Sequence, residues 1–308
     1  MLIIKERSRK GGKIVFKNVS YKTQRKFIIA LFLVIPLTLL FVFTYLPAIN
    51  MISYSFTNWK GYGAKTFIGF ENYINIFSDP EVFSVLKNSL YYFVGGLIQL
   101  GLAFVFAVII NSKIKGKDFF KSLFFFPYLI NGVAISLMFL FFFQPNGTLD
   151  TVLNMLGLDS IIRQWLGDAQ YVNFSLAFTS IWRFFGYNFI IFLGALQSIS
   201  DEVLEAADLD GAGDWHKIRY IYIPSVKRII QLNLVLNISG AISVFEIPYI
   251  MTGGSNGSST FVIETIKTAF TYNKVGKASA MAVIVMLIVA AVALIQNIFF
   301  KEEKEYAK

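Results

Sequence analysis

The sequence has no cysteine and a single histidine, and only 15% of its residues are charged. Disulfide bonds and thiolate metal sites are therefore excluded. His216 has no neighbouring histidine or cysteine that would complete a metal site, so we expect no metal and interpret His216 as a surface or packing residue. The phosphate-binding pattern G-x-x-x-x-G-K-[ST] is also absent. We therefore expect this chain to bind no nucleotide and no other cofactor.

Apolar residues are abundant. They make up 56% of the 308 residues, 33 residues are Phe, and the mean hydropathy is +0.60. A water-soluble domain could not bury that much apolar surface. Segments of about 20 apolar residues can cross a hydrocarbon layer of about 30 Å, and they must be helices because lipid offers backbone groups no hydrogen-bond partner. The prediction is an all-α integral membrane protein with six transmembrane helices, at residues 27–48, 90–110, 122–144, 174–197, 229–251 and 278–300.

Lysine and arginine are distributed unevenly between the two sides of these spans. Residues 1–26 hold nine of them against one acid, Glu6. With alternate loops on opposite sides, one side carries twenty and the other seven, and the more positive side faces the cytoplasm. We therefore predict that both termini are cytoplasmic. The predicted organisation is a basic segment at 1–26, a six-helix membrane domain at 27–300 with a cytoplasmic loop at 199–228, and a tail at 301–308.

The net charge of +9 is explained by this bias and by anionic lipid headgroups, so it does not indicate a nucleic-acid partner. The first apolar run is too long for a cleavable signal peptide, and no A-x-A-like site follows it. Two segments on the predicted outer side are expected to be ordered. Residues 55–83 predict a hairpin-like excursion, and residues 145–168 alternate short helical patches with glycine turns. Trp59 and Trp165 in these segments are typical of the aromatic belt at a membrane surface.

The predicted cytoplasmic loop contains the stretch SDEVLEAADLDGAGDWHKIRYIYIPS at residues 200–225. Ser200 is a suitable N-cap, and two acids follow it in the first turn, where the helix dipole favours negative charge. The helix has an acidic stripe and a neighbouring face of small residues, namely Asp201, Glu205 and Asp208, and Val203, Ala206, Ala207 and Gly211. Gly211 to Gly213 predict its end, and Asp214 predicts the cap of a second short helix that stops before Pro224.

Periodicity alone leaves two interpretations of this stretch, a docking plug for a cytoplasmic partner or an ordinary solvated loop. The spacing of the residues distinguishes between these two interpretations. Glu205-Ala206-Ala207, three residues, Gly211, nine residues and then IYIP resembles the EAA motif, EAA-x3-G-x9-I-x-L-P, of ABC importer permeases, with Ile223 in place of Leu. SFTNW, FIGFENYINIF, LGALQSIS and FEIPYIMTGGS are similar to the carbohydrate-uptake branch, including the maltose and multiple-sugar types. TGGSNGS departs from the TGGGP that is more usual there.

The resemblance implies a type I importer permease in the bacterial cell membrane. Such a subunit is not an enzyme and forms half of the translocation pathway for a sugar, here expected to be an oligosaccharide. The implied partners are a second permease, two copies of a cytoplasmic ATPase that holds ATP and Mg, and an extracytoplasmic sugar-binding protein.

We expect the loop to couple the permease to the ATPase through Glu205, Ala206, Ala207, Asp208, Gly211 and Pro224. The acids would make charge-assisted contacts, and the small residues would let the helix seat closely. The proline would set the angle at which the chain enters the fifth span.

Polar side chains inside spans are costly and are therefore candidates for the substrate pathway. The fourth and fifth predicted spans offer Trp182, Arg183, Tyr187, Asn188, Asn237 and Glu246, besides Asn233 and Ser243. Aromatic faces stack on sugar rings while amides and carboxylates bind hydroxyls, which suits a neutral oligosaccharide. Two alternatives stay open. Arg183 and Glu246 pair only to hold two helices together, or the amides serve only helix–helix hydrogen bonds.

Other classes of protein fit the sequence less well. An ion-coupled secondary transporter usually has more spans in one chain, related by internal repeats. A membrane-embedded enzyme needs a catalytic constellation inside the spans, and Arg183 with Glu246 does not form one. Within the importers, the alternative cargo is an anion such as glycerol phosphate, for which Arg183 would be the natural partner.

Overall fold

The computed structural model describes residues 21–112 and 116–299. The chain divides into two compact units, residues 1–53 and residues 54–308. Of the predicted basic segment 1–26, only residues 21–26 are described, and they begin the first helix. The predicted tail at 301–308 lies outside the described residues.

The described part of the chain is almost entirely helical, with one isolated β-bridge between Thr57 and Phe67. The helices are α1 (Tyr21–Ser55), α2 (Glu71–Phe77), α3 (Pro80–Ser84), α4 (Leu86–Asn111), α5 (Lys117–Leu129), α6 (Gly132–Phe143), α7 (Thr148–Met155), α8 (Val172–Leu196), α9 (Asp201–Leu209), α10 (Asp214–Lys217), α11 (Ile223–Ile242), α12 (Glu246–Thr252), α13 (Phe261–Ile266) and α14 (Val275–Phe299). Short π-helical segments join α10 to α11 (Ile218–Tyr222) and follow α13 (Lys267–Thr271).

Four of the six predicted spans are continuous helix, whereas the spans predicted at 122–144 and 229–251 are each interrupted, between α5 and α6 and between α11 and α12. Within the described residues, five helical stretches are long and apolar enough to cross a membrane, and the pair α5 and α6 makes a sixth if it is one bent span. This confirms the all-α membrane architecture with five or six spans. The first span is longer than predicted, since α1 starts at Tyr21 and ends at Ser55. Its early turns carry Lys22, Arg25 and Lys26, whose long side chains let a helix continue beyond the hydrocarbon layer.

The third predicted span, 122–144, is not one straight helix. α5 ends shortly after Pro127, and α6 starts at Gly132 with its axis turned by 96°. The break is stabilised locally, because the Asn131 side-chain oxygen accepts a hydrogen bond from the Val133 N–H at 2.8 Å and so caps α6. The sharp turn brings the N-terminus of α6 against α8 and α12.

The second unit is organised around α8. The most extensive helix pair is α4 with α8, and α5 and α6 also pack on α8. Two apolar clusters lie along it, one with Phe189, Phe192 and Val226, the other with Phe139, Leu176 and Ile247. α11 packs on α4, and α14 packs on α11 and α2. This arrangement leaves a space between α4, α8 and α11.

The segments on the predicted outer side are ordered, but only in part as expected. Residues 55–83 contain one bridge between Thr57 and Phe67, followed by α2 and α3, so the hairpin is short. The Asn72 amide holds this segment closed by donating to the carbonyl oxygens of Ser55 and Thr57 at 2.9 and 2.8 Å. Residues 145–168 form α7 and a 3-10 turn separated by Gly157, as predicted.

Candidate functional site

A cavity of about 500 Å³ lies between α4, α8, α11 and the start of α12. Its volume is within the roughly 300–1,000 Å³ typical of small-molecule sites. Its wall combines apolar side chains with phenol, amide, hydroxyl and charged groups. The polar lining residues are Tyr92, Gln99, Ser180, Arg183, Tyr187, Asn188, Asn233, Asn237, Ser243 and Glu246.

Five of the six predicted pathway residues line this cavity, namely Arg183, Tyr187, Asn188, Asn237 and Glu246. Trp182 does not. Its ring packs edge-on against Phe139 at a centroid distance of 5.2 Å, in the apolar cluster between α6 and α8. The prediction for Trp182 is therefore not supported by its position.

The two charged residues of the cavity form an ion pair. Arg183 Nη1 on α8 lies 2.5 Å from Glu246 Oε2 at the start of α12. A Cβ at Gly132 would overlap both side chains, so the first turn of α6 is in close contact with the pair. The helix dipole places partial positive charge at that turn, which favours the Glu246 carboxylate. The helices α6, α8 and α12 thus meet at this ion pair, and the cavity wall has almost no net charge there.

Several buried polar atoms of lining residues have no hydrogen-bond partner among the described residues. They are the Tyr92 hydroxyl, the Asn188 side-chain oxygen and Arg183 Nε. Tyr92 is 6% and Asn188 8% exposed, so leaving these atoms unpaired is costly unless a ligand or water binds them. The cavity therefore offers hydrogen-bonding groups to a polar occupant.

The amides on α11 serve helix packing as well. Asn237 Nδ2 donates to the Phe93 carbonyl oxygen on α4 at 3.1 Å, and its side chain occupies the space that a Cβ at Gly96 would need. Asn233 Nδ2 donates to the Ile229 carbonyl oxygen of its own helix at 2.9 Å. The alternative that these amides hold helices together thus applies to Asn237, which also lines the cavity.

The sequence argument missed the contribution of α4. Tyr92, Gln99 and Gly96 belong to a span whose hydropathy is high throughout, so nothing in its average showed which face would be enclosed. Gln99 was the available signal, because an amide that is 6% exposed in the middle of an apolar helix requires polar surroundings.

The predicted docking helix is α9, at Asp201–Leu209. It starts after Ser200, as predicted, although the Ser200 hydroxyl makes no capping hydrogen bond. It stops before Gly211, whose φ of +77° is the left-handed conformation that glycine adopts readily. Glu205 and Ala206 are exposed, and so are the large apolar side chains of the same loop, Leu209 at 90% and Trp215 at 66%.

Asp208 differs from the other predicted coupling residues because it already has a partner in the chain. Its carboxylate pairs with Lys217 Nζ of α10. The pair links α9 to α10 across the glycine turn. Asp208 therefore stabilises the shape of the loop. Glu205, the acid of the motif, has no such partner among the described residues and is available to a partner protein.

The prediction that a second short helix stops before Pro224 is wrong. The chain is helical from residue 214 to 242, through the π-helical turn Ile218–Tyr222 and past Pro224. The predicted cap, Asp214, lies in the first turn, and Gly213 occupies the cap position. Proline removes an N–H and crowds the preceding turn, and a wider π-helical turn just before Pro224 relieves both effects. At 1.5 Å per residue this helix is about 43 Å long, so its first turns extend beyond the hydrocarbon layer.

Comparison with known proteins identifies the family. Residues 99–304 match the family model of the binding-protein-dependent transport system inner membrane component. The probable ABC transporter permease protein YurN of Bacillus subtilis (strain 168) is 37% identical over 289 residues, which cover 92% of this chain and 99% of that protein. The chain belongs to this family. It is an ABC transporter permease, a multi-pass protein of the bacterial inner membrane, as predicted.

The permease is also similar to a multiple-sugar relative and to a solved importer. The multiple sugar-binding transport system permease protein MsmF of Streptococcus mutans is 31% identical over 269 residues, covering 86% of this chain and 92% of that protein. A chain from the crystal structure of a bacterial ABC transporter involved in the import of the acidic polysaccharide alginate superposes with a TM-score of 0.81. The match covers 93% of the permease and 98% of the alginate transporter chain. At 19% sequence identity it confirms the fold alone.

Proposed function

We propose that this permease forms half of the translocation pathway of an ATP-driven importer for a neutral oligosaccharide. One observation carries the proposal, namely the cavity of about 500 Å³ with unpaired phenol and amide atoms and a neutralised Arg183–Glu246 pair. Uncharged hydrogen-bonding groups beside aromatic rings match the hydroxyls and C–H faces of a sugar. The family resemblance to sugar permeases supports the same cargo.

The charge of the cavity also weighs against the alternative cargo. Glycerol phosphate needs an unpaired cation, and Arg183 already faces a carboxylate at 2.5 Å. An incoming anion would have to displace Glu246 from Arg183 or leave the carboxylate unpaired, which costs free energy in a partly buried site. A neutral cargo leaves the pair intact.

We further propose that the permease hydrolyses no ATP and is driven by two copies of a separate ATPase that binds ATP and Mg. The loop formed by α9 and α10 would dock in that ATPase, with Glu205 making the charged contact and Ala206, Ala207 and Gly211 allowing a close approach. A second permease would complete the pathway, and an extracytoplasmic sugar-binding protein would deliver the cargo. The exposure of Leu209 and Trp215 supports docking, because large apolar side chains on a solvent-facing loop are typical of an interface.

The test is uptake in cells that lack the gene for this permease. Labelled oligosaccharides and glycerol phosphate are supplied, and the gene is restored as wild type, Glu205→Arg or Glu81→Arg. Glu81 is an exposed acid of α3 on the predicted outer side, so it controls for the charge change alone. We expect wild type and Glu81→Arg to restore uptake of at least one oligosaccharide, and Glu205→Arg to lose most of it together with ATPase association. Unchanged uptake of every oligosaccharide in the deleted strain would refute the cargo, and full activity of Glu205→Arg would refute the docking site.

A further inference from the structure

A second cavity, of about 330 Å³, lies at the other end of α12 from the pathway cavity. Met251 and Thr252 at the end of α12 line it, whereas Glu246 and Ile247 at the start of the same helix line the first cavity. α12 has seven residues, so the two cavities are separated by roughly 10 Å along its axis. The remaining wall comes from the end of α6, residues 164–167 and Asn256, all on the predicted outer side.

An aromatic side chain in this wall is held in a fixed position. Trp165 is half-buried, and its indole N–H donates to Asp150 Oδ1 at 2.8 Å. Asp150 is 4% exposed, and its second oxygen accepts the Asn146 N–H at 2.9 Å. Ser175 Oγ donates to the Trp165 carbonyl oxygen at 3.0 Å, which also fixes the backbone. A buried carboxylate therefore orients the indole ring beside the cavity.

Three amide side chains surround the same space, at Gln144, Gln164 and Asn256. Gln144 and Gln164 are exposed, and their side chains form no hydrogen bond within the described residues. Asn256 is tied down, since its Nδ2 donates to the Leu166 carbonyl oxygen at 2.9 Å, and its φ of +55° is the left-handed conformation. A rigid indole beside two unpaired amides gives an apolar face for stacking together with donors and acceptors for hydroxyl groups.

We propose that this cavity is a second saccharide subsite, which holds one sugar ring of a neutral oligosaccharide against Trp165 before the ring passes along α12 to the pathway cavity. The proposal rests on the proposed function and adds a separate binding position to it. None of the described residues that line this cavity is charged, which suits an uncharged sugar. Its volume is at the lower end for small-molecule sites and is sufficient for one sugar ring.

The experiment uses the intact importer with all its membrane and ATPase subunits in lipid nanodiscs, without binding protein. An oligosaccharide that the uptake test identifies is titrated by calorimetry. The variants are Gln144→Ala/Gln164→Ala, Asn188→Ala in the pathway cavity, and Gln170→Ala, an exposed glutamine just before α8 that does not line the cavity. Both cavity glutamines are exposed, so the double variant is expected to fold. Loss of two hydrogen bonds should weaken binding about tenfold, and Gln170→Ala should bind as wild type.

Each outcome decides between specific alternatives. A tenfold loss in the double variant with unchanged Gln170→Ala binding supports the subsite. Unchanged saccharide affinity in the double variant, with weaker binding in Asn188→Ala, refutes the subsite and leaves the proposed function standing. Unchanged saccharide affinity, with weaker association of the binding protein in a second titration to which that protein is added, makes this surface a protein contact and also refutes the subsite. Failure of wild type to bind that oligosaccharide in nanodiscs refutes the subsite alone, whereas failure of wild type to restore uptake of any oligosaccharide in the deleted strain refutes the proposed function itself.

Discussion

Glycines at helix crossings set how closely the helices of this permease approach. A Cβ at Gly186 on α8 would overlap the Phe124 carbonyl oxygen on α5. Backbone atoms cannot move aside as a flexible side chain can, so the two helices would have to separate. Aromatic rings surround this contact, with Phe124 packed edge-on against Phe185 and Phe189 at centroid distances of 5.5 and 5.4 Å. A single methyl group therefore affects a well-packed region.

We predict that Gly186→Ala destabilises the permease by about 1–3 kcal/mol, the usual cost of overpacking. Gly194 lies on the same helix, is exposed and has open space around its Cβ position, so Gly194→Ala is the matched control. The control should change stability by about 1 kcal/mol or less, in the stabilising direction. Thermal unfolding of the purified importer in detergent measures both. Equal unfolding temperatures for the two variants would contradict the close α5–α8 contact.

At the scale of single residues, the sequence identified the charged residues whose burial in a span costs free energy. It did not show which way every side chain points. Arg183 and Glu246 were identifiable because charge in an apolar span needs a partner, and the structure pairs them. Trp182 was chosen with Arg183, but its ring packs against Phe139 in the apolar cluster between α6 and α8 and does not reach the cavity. Tyr92 was overlooked because the hydropathy of its span is high throughout. Which face of a span is enclosed depends on its neighbours and is not contained in its composition.

Among the helices, the bend between α5 and α6 is the feature that hydropathy could not show. Both halves are apolar, so an average over 20 residues predicts one continuous span. The local signals were Pro127 and the Asn131-Gly132 pair, which end one helix and begin the next. Hydropathy also did not show that the helix continues through Pro224. The π-helical turn that accommodates this proline has no sequence signature of its own.

We predict that Asn131→Ala destabilises α6 by about 1 kcal/mol, because the Val133 N–H loses its side-chain acceptor. Asn131→Ser keeps an acceptor at the cap and should recover most of the loss. Since the α6 N-terminus contacts Glu246, the alanine variant should also lower transport more than the serine variant. Unfolding temperature and uptake rate are measured for both. If alanine and serine behave alike, the cap is not what stabilises the bend.

At the scale of the whole molecule, the direction of insertion rests on the distribution of charge, and the helices themselves are compatible with either direction. The excess of lysine and arginine on one side predicts that α9 faces the cytoplasm and that residues 145–168 face outward. The docking proposal and the proposed outer subsite both depend on this orientation.

The absence of cysteine makes the orientation directly measurable. We predict that Glu202→Cys is labelled by a membrane-impermeant maleimide only after the membrane is opened, whereas Gln170→Cys is labelled in intact cells. Both positions are exposed, so a difference reports sidedness and not burial. The wild-type chain, without a thiol, is the blank. Labelling of Glu202→Cys in intact cells would reverse the topology and remove the basis for ATPase docking.

The close contact of Arg183, Glu246 and Gly132 limits which helices can separate during transport. Pulling α12 away from α8 would break the Arg183–Glu246 ion pair and leave the Arg183 side chain, which is only 17% exposed, without its partner, so α6, α8 and α12 should move together. Across the cavity, α11 is attached to α4 by the neutral Asn237 amide, which water or a sugar hydroxyl can replace at little cost. A cargo hydroxyl that replaced this hydrogen bond would loosen the polar part of the α4–α11 contact, while the apolar cluster that the two helices share would still hold them together.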